Sequence, residues 1–147
     1  MASVSTYLNF PRTTEQAFAF YKNVFNTDYI GSIARFGDMP ADAGSPPMNA
    51  ADSQLVLHVA LPILAGHVLM GTDCVESMGQ TFQAGNNVSI NLQPDTRAET
   101  KRLFDALSEG GKVDMPLQDM FWGDYFGAFV DKFGTQWMVN CSEKAPS

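Results

Sequence analysis

The sequence predicts an α+β fold of two tandem βαβββ half-modules. Three observations predict it: two capped amphipathic helices of one design, a constant spacing of 83 residues between them, and β-like runs before and after each. The 147 residues are expected to form a single domain, 1–147, with half-modules of about 1–80 and 81–147. A chain of this length buries roughly two thirds of its unfolded surface, so neither half alone is expected to fold well.

Thr6 to Phe10 reads as the first strand. Thr13, three residues before Gln16, reads as the cap of a helix whose apolar positions Ala17, Phe18, Tyr21, Val24 and Phe25 recur at helical spacing. Tyr29 to Phe36, Leu55 to Leu64 and His67 to Gly71 follow as strands. Asp38 to Pro47 is aperiodic and rich in Pro and Gly, which predicts a long loop, and Thr72 to Asn86 reads as a second.

The second half repeats this order. Val88 to Gln93 is strand-like, and Thr96, three residues before Glu99, caps a helix with Leu103, Ala106 and Leu107 on its apolar face, ending at Gly110 and Gly111. The 83-residue offset carries Phe20 to Leu103, Tyr21 to Phe104 and Val24 to Leu107. Val113 to Leu117, Tyr125 to Val130 and Gln136 to Cys141 are the closing strands.

Composition narrows the function classes. The formal charge is −7, and the basic residues are scattered from Arg12 to Lys144, so nucleic acid and anionic membrane are poor partners. No apolar run approaches the roughly 20 residues of a membrane span, and Met1 to Thr6 lacks the pattern of a secretory signal. A cytoplasmic location is expected, with Cys74 and Cys141 as buried small hydrophobes.

Five segments carry a resemblance: Tyr7-Leu8-Asn9-Phe10, the helix end Phe20-Tyr21-Lys22-Asn23-Val24-Phe25, Gly66 to Asp73, Met115 to Gly123, and Asp131 to Asn140. Together they resemble the PhnB-like branch of the vicinal oxygen chelate superfamily, which includes glyoxalase I, extradiol dioxygenases, and fosfomycin and bleomycin resistance proteins. The resemblance covers nearly the whole chain. It implies a glyoxalase-like fold with a cupped mixed sheet, a ligand cleft, and homodimers.

Members of this branch also carry the label of a demethylubiquinone methyltransferase. This sequence has no glycine-rich loop between a strand and a helix to hold S-adenosylmethionine. The enzymatic relatives place His, Glu or Gln metal ligands on the first and last strands of each half. Here the corresponding positions are Thr6, Ser89, Met138, and Leu69 or Met70, a set of hydroxyl, thioether and alkyl groups that argues against a hard or borderline cation. No metal and no cofactor are therefore expected.

The two histidines stand in different strands of the first half; His58 is expected to bond across the sheet and His67 to open a strand after Gly66. Asp73 and Glu76 are expected in solvent, in the loop that follows. No catalytic residue is assigned, and nothing marks a nucleophilic elbow or cysteine dyad.

Gln118 to Phe126 concentrates aromatic and polar side chains at a turn between strands, suited to a flat ligand or to covering the sheet or a dimer partner. The candidate ligand-binding residues are Asn9, Asn91, Gln118, Trp122, Asp124 and Tyr125, with Asn140 as a further amide. The leading expectation is a small-molecule-binding protein without the usual metal. The alternatives are a metal-dependent lyase, dioxygenase or transferase using His67 with carboxylates, and a dimeric structural or regulatory module.

Overall fold

The computed structural model describes residues 1–40 and 48–146. Most of the loop predicted between Asp38 and Pro47 lies outside the described residues. The chain divides into two compact units, Met1–Phe82 and Gln83–Ser147.

In the first unit the order is β1 (Thr6–Phe10), α1 (Thr14–Phe25), β2 (Ala34–Arg35), a short helix α2 (Ala50–Ser53), β3 (Val56–Pro62) and β4 (Val68–Asp73). The sheet order is β1-β4-β3-β2, with β1 parallel to β4 and the other pairs antiparallel. The second unit has β5 (Ile90–Leu92), α3 (Arg97–Ser108), β6 (Lys112–Asp119), β7 (Tyr125–Val130) and β8 (Gln136–Cys141). Its order, β5-β8-β7-β6, repeats the first, again with a parallel first pair. Two tandem βαβββ modules of α+β class are thus present, as the sequence predicts.

Each helix covers one face of its own sheet. Ala17, Phe18, Tyr21 and Val24 are buried on α1, and Leu103, Phe104 and Leu107 on α3. The approach is close enough that both sheets need glycine beneath the helix. A Cβ on Gly71 would stand 2.5 Å from Phe18, and one on Gly127 would stand 2.6 Å from Phe104. These contacts also fix which residues face away, because strand side chains alternate.

Several boundaries differ from expectation. The strand predicted over Tyr29 to Phe36 is reduced to Ala34–Arg35, where the pairing with β3 slips register and Gly31 turns the chain at φ +71°. At the other end of β3, Leu64 belongs to a tight turn in which Ala65 has φ +57°. β4 runs on to Asp73, so the second loop begins later than Thr72. β6 extends to Asp119 through two register shifts around Pro116, which lacks an N–H and is tolerated on this edge strand.

The two helix caps also differ. Thr96 accepts the Glu99 N–H at 3.2 Å, as predicted. Thr13 makes no side-chain cap bond. The Asp73 carboxylate accepts the Thr14 N–H at 3.0 Å instead, and takes the Val56 N–H at 2.8 Å. Asp73 is 2% exposed, contrary to the solvated position expected for it. The carboxylate is retained in the interior because it satisfies the end of a helix and the start of a strand together.

Candidate functional site

In the first unit the face of the sheet turned from α1 carries Tyr7 and Asn9 on β1, His58 and Ala60 on β3, and Met70 and Thr72 on β4. Tyr7 Oη lies 3.2 Å from His58 Nδ1, and Ser5 Oγ lies 3.8 Å from the Met70 sulfur. His58 does bond across the sheet. Asn9 is exposed on this face.

His67 belongs to the other side. Thr6 pairs in register with the fully buried Leu69, on the α1 side, and its hydroxyl lies 2.8 Å from His67 Nε2. The two histidines therefore serve opposite faces of one sheet and do not converge on a common ion. Alternation also moves the first-strand position: the residues turned away from α1 are Ser5 and Tyr7 rather than Thr6.

In the second unit the face turned from α3 brings together Asn91 on β5, Gln118 on β6, Phe126 and Ala128 on β7, and Met138 and Asn140 on β8. The β6–β7 turn, closed by Met120 N–H to Asp124 O at 2.8 Å, places the Trp122 ring 6.1 Å from that of Phe126, edge to face. Trp122 remains half exposed and Phe121 almost fully so. Asn140 Nδ2 donates to Asp124 Oδ2 at 3.0 Å, holding the turn to β8.

Tyr125 does not join this group. It pairs with the buried Cys141 on the α3 side, where the Arg97 guanidinium lies 3.9 Å from its ring centroid. Arg97 also forms a two-pronged bond with Asp119, at 2.7 and 2.9 Å, which holds that carboxyl below its ordinary pKa. Asn91, Gln118, Trp122 and Asp124 thus lie on one side of the sheet, and Tyr125 lies on the other, against Arg97. Phe126 and Met138 complete the first group; the alternation in Tyr125-Phe126 was the available signal for Phe126.

These side chains do not fit a divalent cation in the arrangement that metal-bearing relatives use. The first and last strands of the two units turn Tyr7, Asn9, Met70 and Thr72 outward in one unit and Asn91, Met138 and Asn140 in the other, with no carboxylate or imidazole on that face of either strand pair; the Asp73 carboxylate of β4 lies on the α1 side. Among the described residues no group of three His, Cys, Asp or Glu is placed to hold a metal ion. The strand-to-helix turns, residues 11–13 and 93–96, contain no glycine to let a nucleotide-like cofactor approach the backbone.

Two repeats of a βαβββ unit define the class as glyoxalase-like, and solved members of the glyoxalase/bleomycin resistance/dioxygenase superfamily share the fold. Residues 2–140 match the family described as 3-demethylubiquinone-9 3-methyltransferase, and the chain belongs to that family, the PhnB-like branch of the vicinal oxygen chelate superfamily. It is 31% identical over 149 residues to the protein YjdN of Escherichia coli (strain K12), covering 98% of each chain. The crystal structure of protein PA1353 from Pseudomonas aeruginosa is similar at 33% identity and a TM-score of 0.80, covering 96% of this chain and 98% of that one. A PhnB protein from Bacillus cereus is similar at 25% identity and a TM-score of 0.73, covering 95% and 99%.

Proposed function

We propose that this chain is a small-molecule-binding PhnB-like protein that holds its ligand with aromatic, amide and thioether side chains and without the superfamily's usual catalytic metal. The observation that carries the reading is the shared face of the second unit, where Asn91, Gln118, Phe126, Met138 and Asn140 meet beside a half-exposed Trp122. A flat aromatic wall flanked by amides supplies stacking area and both donors and acceptors. Asn9 adds a further amide on the first unit's outward face.

The test is a titration of purified protein with a panel of aromatic and carbonyl-bearing compounds, read by Trp122 fluorescence and by product analysis. Saturable binding without product supports the reading, and turnover overturns it. Elemental analysis of chelator-free preparations is the companion test; near-stoichiometric metal would favour a metal-dependent lyase, dioxygenase or transferase instead.

The two units are proposed to form one domain, since each has only one long helix and four strands around its core. A cytoplasmic location and a homodimer belong to the same proposal. No helix among the described residues is long and apolar enough to cross a membrane. For the dimer, the support is Phe121 at 97% exposure, an aromatic ring that a second copy would cover.

A further inference from the structure

Thr14 and Arg97, the first residues of the two long helices, are related by the 83-residue offset, and the N–H of each is taken by a carboxylate from outside its helix. In the first unit the acceptor is Asp73, buried and fixed at the end of β4. In the second unit it is Glu143, beyond the end of β8, which accepts the Arg97 N–H at 2.6 Å. Residues 142–146, the tail that carries Glu143, are exposed and belong to no helix or strand. One helix start is therefore closed from the interior, and the other by a segment with no strand ladder to retain it.

Arg97 couples this tail to the β6–β7 turn. Its guanidinium binds Asp119, the last residue of β6, and lies over the ring of Tyr125, the first residue of β7, so one side chain touches both flanks of the turn. The same guanidinium donates to the Glu143 carbonyl at 3.5 Å. The next tail residue reaches the turn directly, with Lys144 Nζ 3.1 Å from where a Cβ on Gly123 would stand. The turn itself carries Phe121 and Trp122, edge to face with centroids 5.0 Å apart, and sets Trp122 against the half-buried Phe126.

We propose that residues 142–146 are a strap that holds the β6–β7 turn, and with it Trp122, in place, and whose release frees the turn. Glu143 fixes the backbone of Arg97 at the start of α3, and Lys144 covers the turn at Gly123. Both contacts are charged and exposed, so each contributes little alone and exchanges readily for water. The consequence for binding rests on the small-molecule reading above. With the strap seated, Trp122 lies against Phe126; with it lifted, the ring swings away and a flat ligand reaches Phe126 sooner.

The test compares the parent chain with Glu143→Ala and Lys144→Ala, both at exposed positions. Hydrogen exchange is followed at the Met120 and Gly123 N–H groups, which bond within the turn at 2.8 and 2.9 Å, and acrylamide quenching reads Trp122 against the buried Trp137. Each variant should exchange about two- to fivefold faster at those two amides and quench more readily, while amides at the centres of β7 and β8 keep their rates. Benzamide, a flat neutral carbonyl compound, is the binding probe, and its association rate, read from the Trp122 indole N–H signal, should rise by a similar factor.

Turn amides and quenching that are unchanged in both variants overturn the strap while the small-molecule reading stands. A rise of equal size across β7 and β8 also overturns it, because the tail would then support the whole unit rather than the turn. Benzamide association at the parent's rate, in variants whose turn has opened, overturns the strap as a gate. Faster turn exchange while neither benzamide nor any compound of the aromatic panel binds supports the strap and overturns the small-molecule reading instead.

Discussion

The Asp73 carboxylate, at the last residue of β4, accepts the N–H of Thr14 at the first turn of α1, 3.0 Å away and 59 positions earlier. One oxygen closes the helix and the other takes the Val56 N–H at the start of β3, so a single buried side chain joins three elements. Replacing Asp73 by Ala would leave two buried N–H groups unpaired, and should cost about 2–4 kcal/mol of stability. The midpoint of urea unfolding measures this; a loss below about 0.5 kcal/mol would contradict the assigned role.

The caps of the two helices should respond differently to the same substitution. Thr96→Ala removes a side-chain bond to the Glu99 N–H and should cost about 1 kcal/mol. Thr13→Ala removes no cap bond, because Asp73 has taken that position, and should fall within about 0.5 kcal/mol of the parent. Equal losses in the two variants would mean that Thr13 caps α1 after all.

Asp131 is the counterpart anchor in the second unit. Its Oδ1 accepts from the N–H groups of Phe133 and Thr135, and its Oδ2 accepts from the buried Trp137 indole at 2.8 Å. Asp131→Ala opens the turn and strands the indole N–H, for an expected loss of about 2–4 kcal/mol with a changed fluorescence of the buried tryptophan. An unaltered Trp137 indole N–H resonance would show that the bond is not formed.

Acid should weaken the first unit through Asp52. Its carboxyl is held below the ordinary range by the Ser77 hydroxyl and then by Arg12, whose guanidinium also reaches Glu76. A depressed pKa in the folded state contributes stability above the ordinary carboxyl pKa, and that contribution is lost as pH falls through the folded value. Ser77→Ala and Arg12→Leu should therefore raise the pH of acid unfolding, followed by circular dichroism. An acid midpoint unmoved in both variants would remove Asp52 from the account.

Close packing under the helices makes a steric prediction. Gly71→Ala places a methyl group 2.5 Å from the Phe18 ring, and Gly127→Ala places one 2.6 Å from Phe104. Both should destabilise by about 1–3 kcal/mol in thermal or chemical unfolding, since a packed ring must shift. Gly66→Ala, which meets nothing within 4 Å but has φ +77°, would be strained through its backbone instead.

The sequence by itself determined the order of the strands and the two long helices, both helix faces and the two modules, because these follow largely from periodicities of 3.6 and 2 residues; the short helix α2 was not among them. Tyr125–Val130 and Gln136–Cys141 fall where alternation places them. Asn91, Gln118, Trp122 and Asp124 were legible as candidates because residue type and a turn signal are local properties too. Only the tertiary structure decided which side of a sheet each residue serves. That choice depends on register against a neighbouring strand, and a slip of one residue exchanges the faces. It assigned Tyr125 to the Arg97 side, separated His58 from His67, and drew Asp73 from an expected loop into the interior. These outcomes rest on partners 59 or 61 positions away along the chain, and in the case of Tyr125 28, beyond the reach of any local pattern.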